Sequence, residues 1–267
     1  MERLYDIPPV LLLVAAAAVF VAFACGGQSF VHRRFSRANF LKHNEVGGYI
    51  IAVVGTLYAV LLGFLTVVTW EHFADAKQQV WRESAAAADA WHAAIGLPAG
   101  QRARVRHDMF TYAQVMINDE WPQMRRGAFS NEADRILNDA LTTAGTFHPR
   151  EQREATAQTL TLQELLVLHD ERQRRLGSND SAATWFDWTI LAIVGLSVIG
   201  FCWLFGLEDP RAHLLMTSAV ALVIACMLVL LFELQYPFRS HLGVRPDTWY
   251  IFVEHVRFLQ QIYPEAR

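Results

Sequence analysis

Three carboxylates, Glu71, Asp187 and Glu233, stand at the edges of long apolar stretches in this 267-residue chain. Ionisable groups so close to hydrocarbon turn toward the protein interior or toward water, because exposing them to lipid is costly. Gathered at one level, they would form an acidic vestibule that concentrates cations, as carboxylate rings do at channel mouths. The competing reading is three separate interfacial carboxylates, each solvated or paired with Arg172, Arg174, Arg175 or Arg239. Bond-making chemistry finds no foothold. The chain has no nucleophile elbow, Walker loop, HExxH, paired CxxC or dinucleotide fingerprint. Its histidines are scattered singly. His43 and Glu45 are two apart, which on a helix points them in different directions, and the adjacent Glu71 and His72 are poorly spaced for a shared metal. The expectation is no catalytic residue, no cofactor, no metal and no enzymatic activity.

The elements that would position those carboxylates are membrane spans. A helix needs about 20 apolar residues to cross a bilayer core, and four stretches qualify, at roughly 9–28, 47–69, 186–206 and 212–233. The first is too long for the apolar region of a signal peptide and is followed by Arg33 and Arg34, which fits a retained anchor. Trp70, Trp185, Trp188 and Tyr236 mark span ends on one face, as an interfacial aromatic belt does. Cys25, Cys202 and Cys226 lie inside apolar blocks without ligand spacing and read as small buried hydrophobes. Lys and Arg are too dispersed for a nucleic-acid footprint. The fold class expected is all-α: an integral membrane protein with two pairs of transmembrane helices, residues 1–70 and 184–235, flanking an extramembrane bundle at 71–183, with an amphipathic tail at 236–267. Its partner is the lipid bilayer, and its expected location is a bacterial inner (plasma) membrane. Arg33, Arg34, Arg37 and Lys42 favour a cytoplasmic first loop and a middle domain on the other side, whereas Lys77, Arg82, Arg172, Arg174 and Arg175 flank the opposite face and leave both orientations open.

The second span has two faces. Gly48, Ala52, Gly55, Ala59 and Gly63 recur at spacings of three and four, the pattern that lets helices pack closely in lipid. Tyr49, Val53, Leu57, Val60 and Phe64 make the other side bulky, a candidate constriction. In a ring of copies, the small face would meet a neighbour and the bulky face would line an axial path. Thr56 and Thr66 could add hydroxyl contacts.

The middle segment reads as four amphipathic helices. The first continues the second span through Ala94, and Gly96-Leu97-Pro98 breaks it. The second carries Val105, Met109, Tyr112, Val115 and Met116 at helical spacing and ends near Asp119–Pro122. The third starts after Ser130 or Asn131 and stops at Gly145; the fourth runs from Pro149 to Gly177. Basic and acidic residues nearly balance across this stretch. A last amphipathic helix begins at Pro246-Asp247, with Trp249, Phe252, Val253, Val256 and Leu259 on one face.

HNEVGGYIIAVVGTLYAVLLGF (43–64) followed by WEHF, together with NDEWP (118–122), LFGLEDPR (204–211) and YPFRS (236–240), resembles a bestrophin-like domain-of-unknown-function family of membrane proteins. The resemblance covers almost the whole chain. It implies a distant similarity to bestrophins: pentameric, calcium-linked anion channels with two-plus-two spans, a helical cytosolic domain and an apolar neck on the second span. On that analogy the neck candidates are the bulky residues Val53, Leu57, Val60 and Phe64, and a homo-oligomer that passes ions is expected. The alternative is a non-conducting scaffold or sensor whose helical bundle binds a partner.

Overall fold

The computed structural model describes residues 5, 7–35, 44–207 and 209–262; His43 and Arg37–Lys42 lie outside them. In chain order its elements are α1 (Pro9–Arg34), α2 (Asn44–Ala93), a 3₁₀ turn (Ala94–Gly96), α3 (Ala99–Val115), a π-helical turn (Met116–Glu120), α4 (Trp121–Met124), α5 (Asn131–Gly145), α6 (Gln152–Gly177), α7 (Trp185–Trp203), α8 (Pro210–Leu234) and α9 (Asp247–Ile262). No strand occurs among the described residues. The fold is all-α. Two compact units emerge: Met1–Glu71 with Ser181–Tyr236 and Ser240–Leu242, and His72–Asp180 with Pro237–Arg239 and Gly243–Arg267.

Among the described residues four helices are long and apolar enough to cross a membrane, and the first unit contains them: α1, α2 through Glu71, α7 and α8. α1 runs past the expected end at residue 28, because its last turn of His32, Arg33 and Arg34 complements the negative end of the helix dipole. α7 stops at Trp203, short of the expected 206. There Asn44 takes hold of the chain: its Nδ2 donates to the Gly206 carbonyl at 2.6 Å, and the Gly206 N–H donates to its Oδ1 at 3.0 Å. α8 opens with Pro210 in its first turn, and the Asp209 carboxylate accepts the Arg211 N–H at 2.8 Å. The core of the unit is thin, built from Ala24, Tyr58, Leu62, Leu191, Val198, Ile199, Ala221 and Ile224. Many large apolar side chains, such as Val10, Val19 and Leu215, face outward, as lipid permits. The three cysteines are free, and Cys25 lies 3.1 Å from the Ser218 hydroxyl, across the contact of α1 with α8.

Two glycines admit aromatic side chains from neighbouring helices directly onto their backbones. Trp203 donates its indole N–H to the Ala24 carbonyl at 2.9 Å, which lays its ring directly on Gly27. Gly195 admits the Tyr58 hydroxyl, which would stand 2.9 Å from a Cβ there.

The second unit has a denser core. Val80, Ala87 and Trp91 from the C-terminal half of α2 meet Val105, Met109, Tyr112 and Met116, with Leu137, Leu165 and Leu168 closing the bundle. Ser130 caps α5 by accepting the Glu132 N–H. The second bundle helix ends at Met124, just past Asp119–Pro122: a π turn carries it into the short α4 that contains Pro122. Gly127, at φ +75°, then reverses the chain against the Arg239 guanidinium. α9 buries Trp249, Phe252, Val253 and Val256 in this same core.

Gly27→Leu therefore forces Trp203 from its seat and lowers the stability of the purified protein by about 1–3 kcal/mol. Gly26→Leu, whose side chain would meet nothing within 4 Å, leaves the melting temperature unchanged in the same thermal-unfolding assay.

Candidate functional site

The face of α2 that packs against the rest of its own unit comprises Ile51, Val54, Tyr58, Leu61, Leu62 and Leu65. None of these belongs to either face read from the sequence. Both of those faces are uncovered in the single chain. Tyr49, Val53, Leu57, Val60 and Phe64 are all between 61% and 71% exposed. Gly48, Gly55 and Gly63 have no atom within 4 Å of where a Cβ would stand, and Ala52 and Ala59 are exposed. The Thr56 and Thr66 hydroxyls donate to the Ala52 and Leu62 carbonyls, each at 2.7 Å, so both turn back onto their own helix instead of reaching a neighbour. The exposed side has an internal order: Val46, Val53, Val60 and Val67 follow one another every seven residues, with Ile50, Leu57 and Phe64 in the same register, and all are exposed.

The three boundary carboxylates have different surroundings. Asp187 closes a capping box at the start of α7, accepting the Thr184 N–H at 2.8 Å and the Thr184 hydroxyl at 2.7 Å. Glu233 is buried; one oxygen accepts the Ser240 hydroxyl at 2.6 Å, and the other has no partner among the described residues. Glu71 is exposed. No hydrogen bond or ion pair links the three among the described residues, and no cluster of three or more His, Cys, Asp or Glu suited to a metal occurs there. Asn44 is a structural clamp, and Glu45 is exposed.

Two of the arginines weighed as partners for those carboxylates, Arg172 and Arg175, are engaged in a buried cluster that no local sequence pattern announces. Arg175, on α6, is fully buried; its Nε donates to Glu83 of α2, and its Nη2 donates to Glu83 at 3.1 Å and to Glu120 at 3.1 Å. Arg172, one turn earlier, reaches Glu120 at 3.3 Å, Asp134 at 3.4 Å and the Ser130 carbonyl at 3.0 Å. Tyr112 donates its hydroxyl to Glu83 at 2.8 Å, and the Ser130 N–H donates to Glu120 at 2.8 Å. Arg174 points the other way and pairs with Glu171 at 2.8 Å. Arg239 donates to the Asn179 carbonyl. Burial works against the charge of Arg175, yet Glu83 and then Glu120 hold its guanidinium above its ordinary value. Burial and then the Glu83 carboxylate push the Tyr112 phenol well above its own. Two buried carboxylates thus face two buried guanidiniums, with sulfur from Met116 and Met124 against Arg175. Such an array ties α2, the π turn, α5 and α6 together; it offers no accessible nucleophile.

The model of the Bestrophin-like domain matches residues 18–249. The chain belongs to the Bestrophin-like family. Among solved structures it is similar to the crystal structure of a mutant bacterial bestrophin homolog from Klebsiella pneumoniae, with a TM-score of 0.62 and 13% identity over 92% of this chain and 98% of that one. At that identity the likeness speaks for the fold. None of the curated proteins compared with the chain matches it.

The four stretches that carry the Bestrophin-like resemblance all fall inside the matched span, and each has a physical task. Asn44 of the first grips Gly206 of LFGLEDPR. NDEWP supplies Glu120 to the buried array, Asp119 to the Ser130 hydroxyl, and Trp121, whose indole donates to the Val244 carbonyl at 3.0 Å. YPFRS places Phe238 edge-on to Trp121, with ring centroids 5.8 Å apart.

Removing one partner from a buried array leaves an uncompensated charge. Arg175→Met should cost about 3–5 kcal/mol of stability, whereas Arg135→Met, which breaks only the exposed pairs with Glu132 and Asp139, should cost about 1 kcal/mol or less. Denaturant unfolding of the two purified variants measures the difference.

Proposed function

We propose that the chain assembles into an oligomeric ion channel of the bacterial inner membrane, with α2 lining the axis. The exposed seven-residue repeat on α2 carries this reading. A helix face turned to lipid needs only apolar side chains, whereas a strict seven-residue period is the pattern of helices that wind around one another. Gly48, Ala52, Gly55, Ala59 and Gly63 supply the small face that a neighbouring copy approaches. Tyr49, Val53, Leu57, Val60 and Phe64 then form an apolar constriction, which gates by excluding water. Membership in the Bestrophin-like family supports the same assembly, with five copies on the bestrophin analogy.

The boundary carboxylates refine the reading toward cations. Glu71 is exposed and available to the vestibule, while Asp187 and Glu233 add negative potential from a cap and from the protein interior.

Purified protein in liposomes of defined lipid should pass ions, and Leu57→Ala, which widens the constriction, should raise single-channel conductance severalfold. Glu71→Gln should lower the ratio of cation to anion permeability. A reconstituted, verified oligomer that passes no ions contradicts the proposal.

A further inference from the structure

The second unit carries a titratable cluster that the proposed conduction path does not use. α9 is seated on the core by Trp249, Phe252, Val253 and Val256, all buried, and the Trp249 ring meets Tyr112 of α3 with centroids 5.5 Å apart. Against α2 the seating is looser. A groove of about 270 Å³ is lined by Trp81, Ala85 and Ala88 of α2 and by Ile251, Phe252 and His255 of α9. One turn beyond Ala88, His92 of α2 meets His255 across the two helices, with ring centroids 5.9 Å apart and planes inclined by 56°. Both histidines are exposed.

Imidazole is the side chain whose charge ordinarily changes between about pH 5 and pH 8, and two imidazoliums this close repel one another. A fixed positive charge from α3 adds to that repulsion. Arg106 lays its guanidinium on Trp91, 4.0 Å from the ring centroid, and donates to the Trp91 carbonyl at 3.1 Å, next to His92 in the chain. Arg102, on the same helix, is within electrostatic reach of Arg106. The opposing carboxylate is Asp89, one turn before His92 on α2, and Asp89 also feels Glu164 of α6. A turn away from His255 on its own helix stand Ile251, Phe252, Phe258 and Leu259, with Glu254 and Arg257 close by in sequence. Burial, then His255, then Arg106 lower His92 from its ordinary value, and Asp89 raises it by less. A histidine lowered in the folded state leaves stability intact above about pH 6.5. Stability is withdrawn as pH falls from there, because the released state takes up the proton first.

We propose that the His92–His255 pair is an acid-sensitive latch, which holds α9 on α2 at neutral pH and above and loosens it in mild acid. The loosening is local. Glu83, Glu120, Arg172 and Arg175 are buried and remain paired, so the rest of the bundle stays closed.

The test is hydrogen–deuterium exchange of the full-length, detergent-purified protein at about pH 7.5 and about pH 5.5, each rate divided by the intrinsic exchange rate at that pH. Protection of the α9 amides should fall about three- to tenfold between the two, the range of a shift of up to one unit, while α5 changes little. His92→Gln and His255→Gln replace exposed side chains, so both variants should fold, and each should abolish most of that fall. His148→Gln, at an exposed histidine between α5 and α6, should keep it. Equal α9 protection at both pH values overturns the latch. A fall that persists undiminished in both variants, or that α5 shares equally, overturns it too. The readout requires neither an oligomer nor ion flux, so its failure is distinct from a failure of the proposed channel.

Discussion

A helix in lipid must satisfy its backbone internally, and gains nothing from burying apolar side chains against a neighbour that lipid would cover equally well. α2 meets the first condition through fifty unbroken residues, from Asn44 to Ala93. The second condition makes its surface informative. Its own unit takes only the side bearing Ile51, Val54, Tyr58 and Leu62. The sides that remain are a row of small residues and a heptad of large ones. In water such a stripe would demand cover. In lipid, its regularity is what argues for a partner, and a second copy of the same helix has the matching period.

The two units solve their packing in opposite ways. Membrane helices come together through small residues and single hydrogen bonds: Trp203 on Gly27, Tyr58 against Gly195, Asn44 on Gly206. The second unit surrounds a charged centre with Met, Leu and Trp. A balanced array of that kind is not a strong source of net stability, because desolvation offsets most of its Coulomb energy. Arg175 on α6 joins Glu83 of α2 to Glu120 of the π turn, and Arg172 reaches the same Glu120, so the C-terminal half of α2 is tied to α6 through these charges.

Hydropathy made the four spans legible, and local signals placed a helix start after Ser130 or Asn131, a helix end at Gly145 and a start at Pro98. These features depend on neighbours in sequence. The errors came where helix and hydropathy part company. α1 continues into charged residues because a helix C-terminus favours them, and α3 passes into α4 through a π turn that has no compositional signature. The buried array was invisible for a different reason. Glu83 and Arg175 are 92 residues apart, and each alone looks like an ordinary charge on an amphipathic helix. Arg172 and Arg175, one turn apart on α6, were the only local trace: two arginines on a side shared with Leu165 and Leu168. On α2, the alternation of small and large residues was readable, but which side its own chain would cover depended on Tyr58 finding Gly195.

Proximity of α2 helices in adjacent copies tests the account most directly. In a background with Cys25, Cys202 and Cys226 replaced by Ala, Val60→Cys on the heptad face and Leu215→Cys on the outer face of α8 can be treated in native membranes with a short bifunctional thiol reagent. Covalent dimers are expected from Val60→Cys and monomers from Leu215→Cys. Monomers from Val60→Cys together with covalent dimers from Leu215→Cys would place the contact between copies on α8 and contradict it.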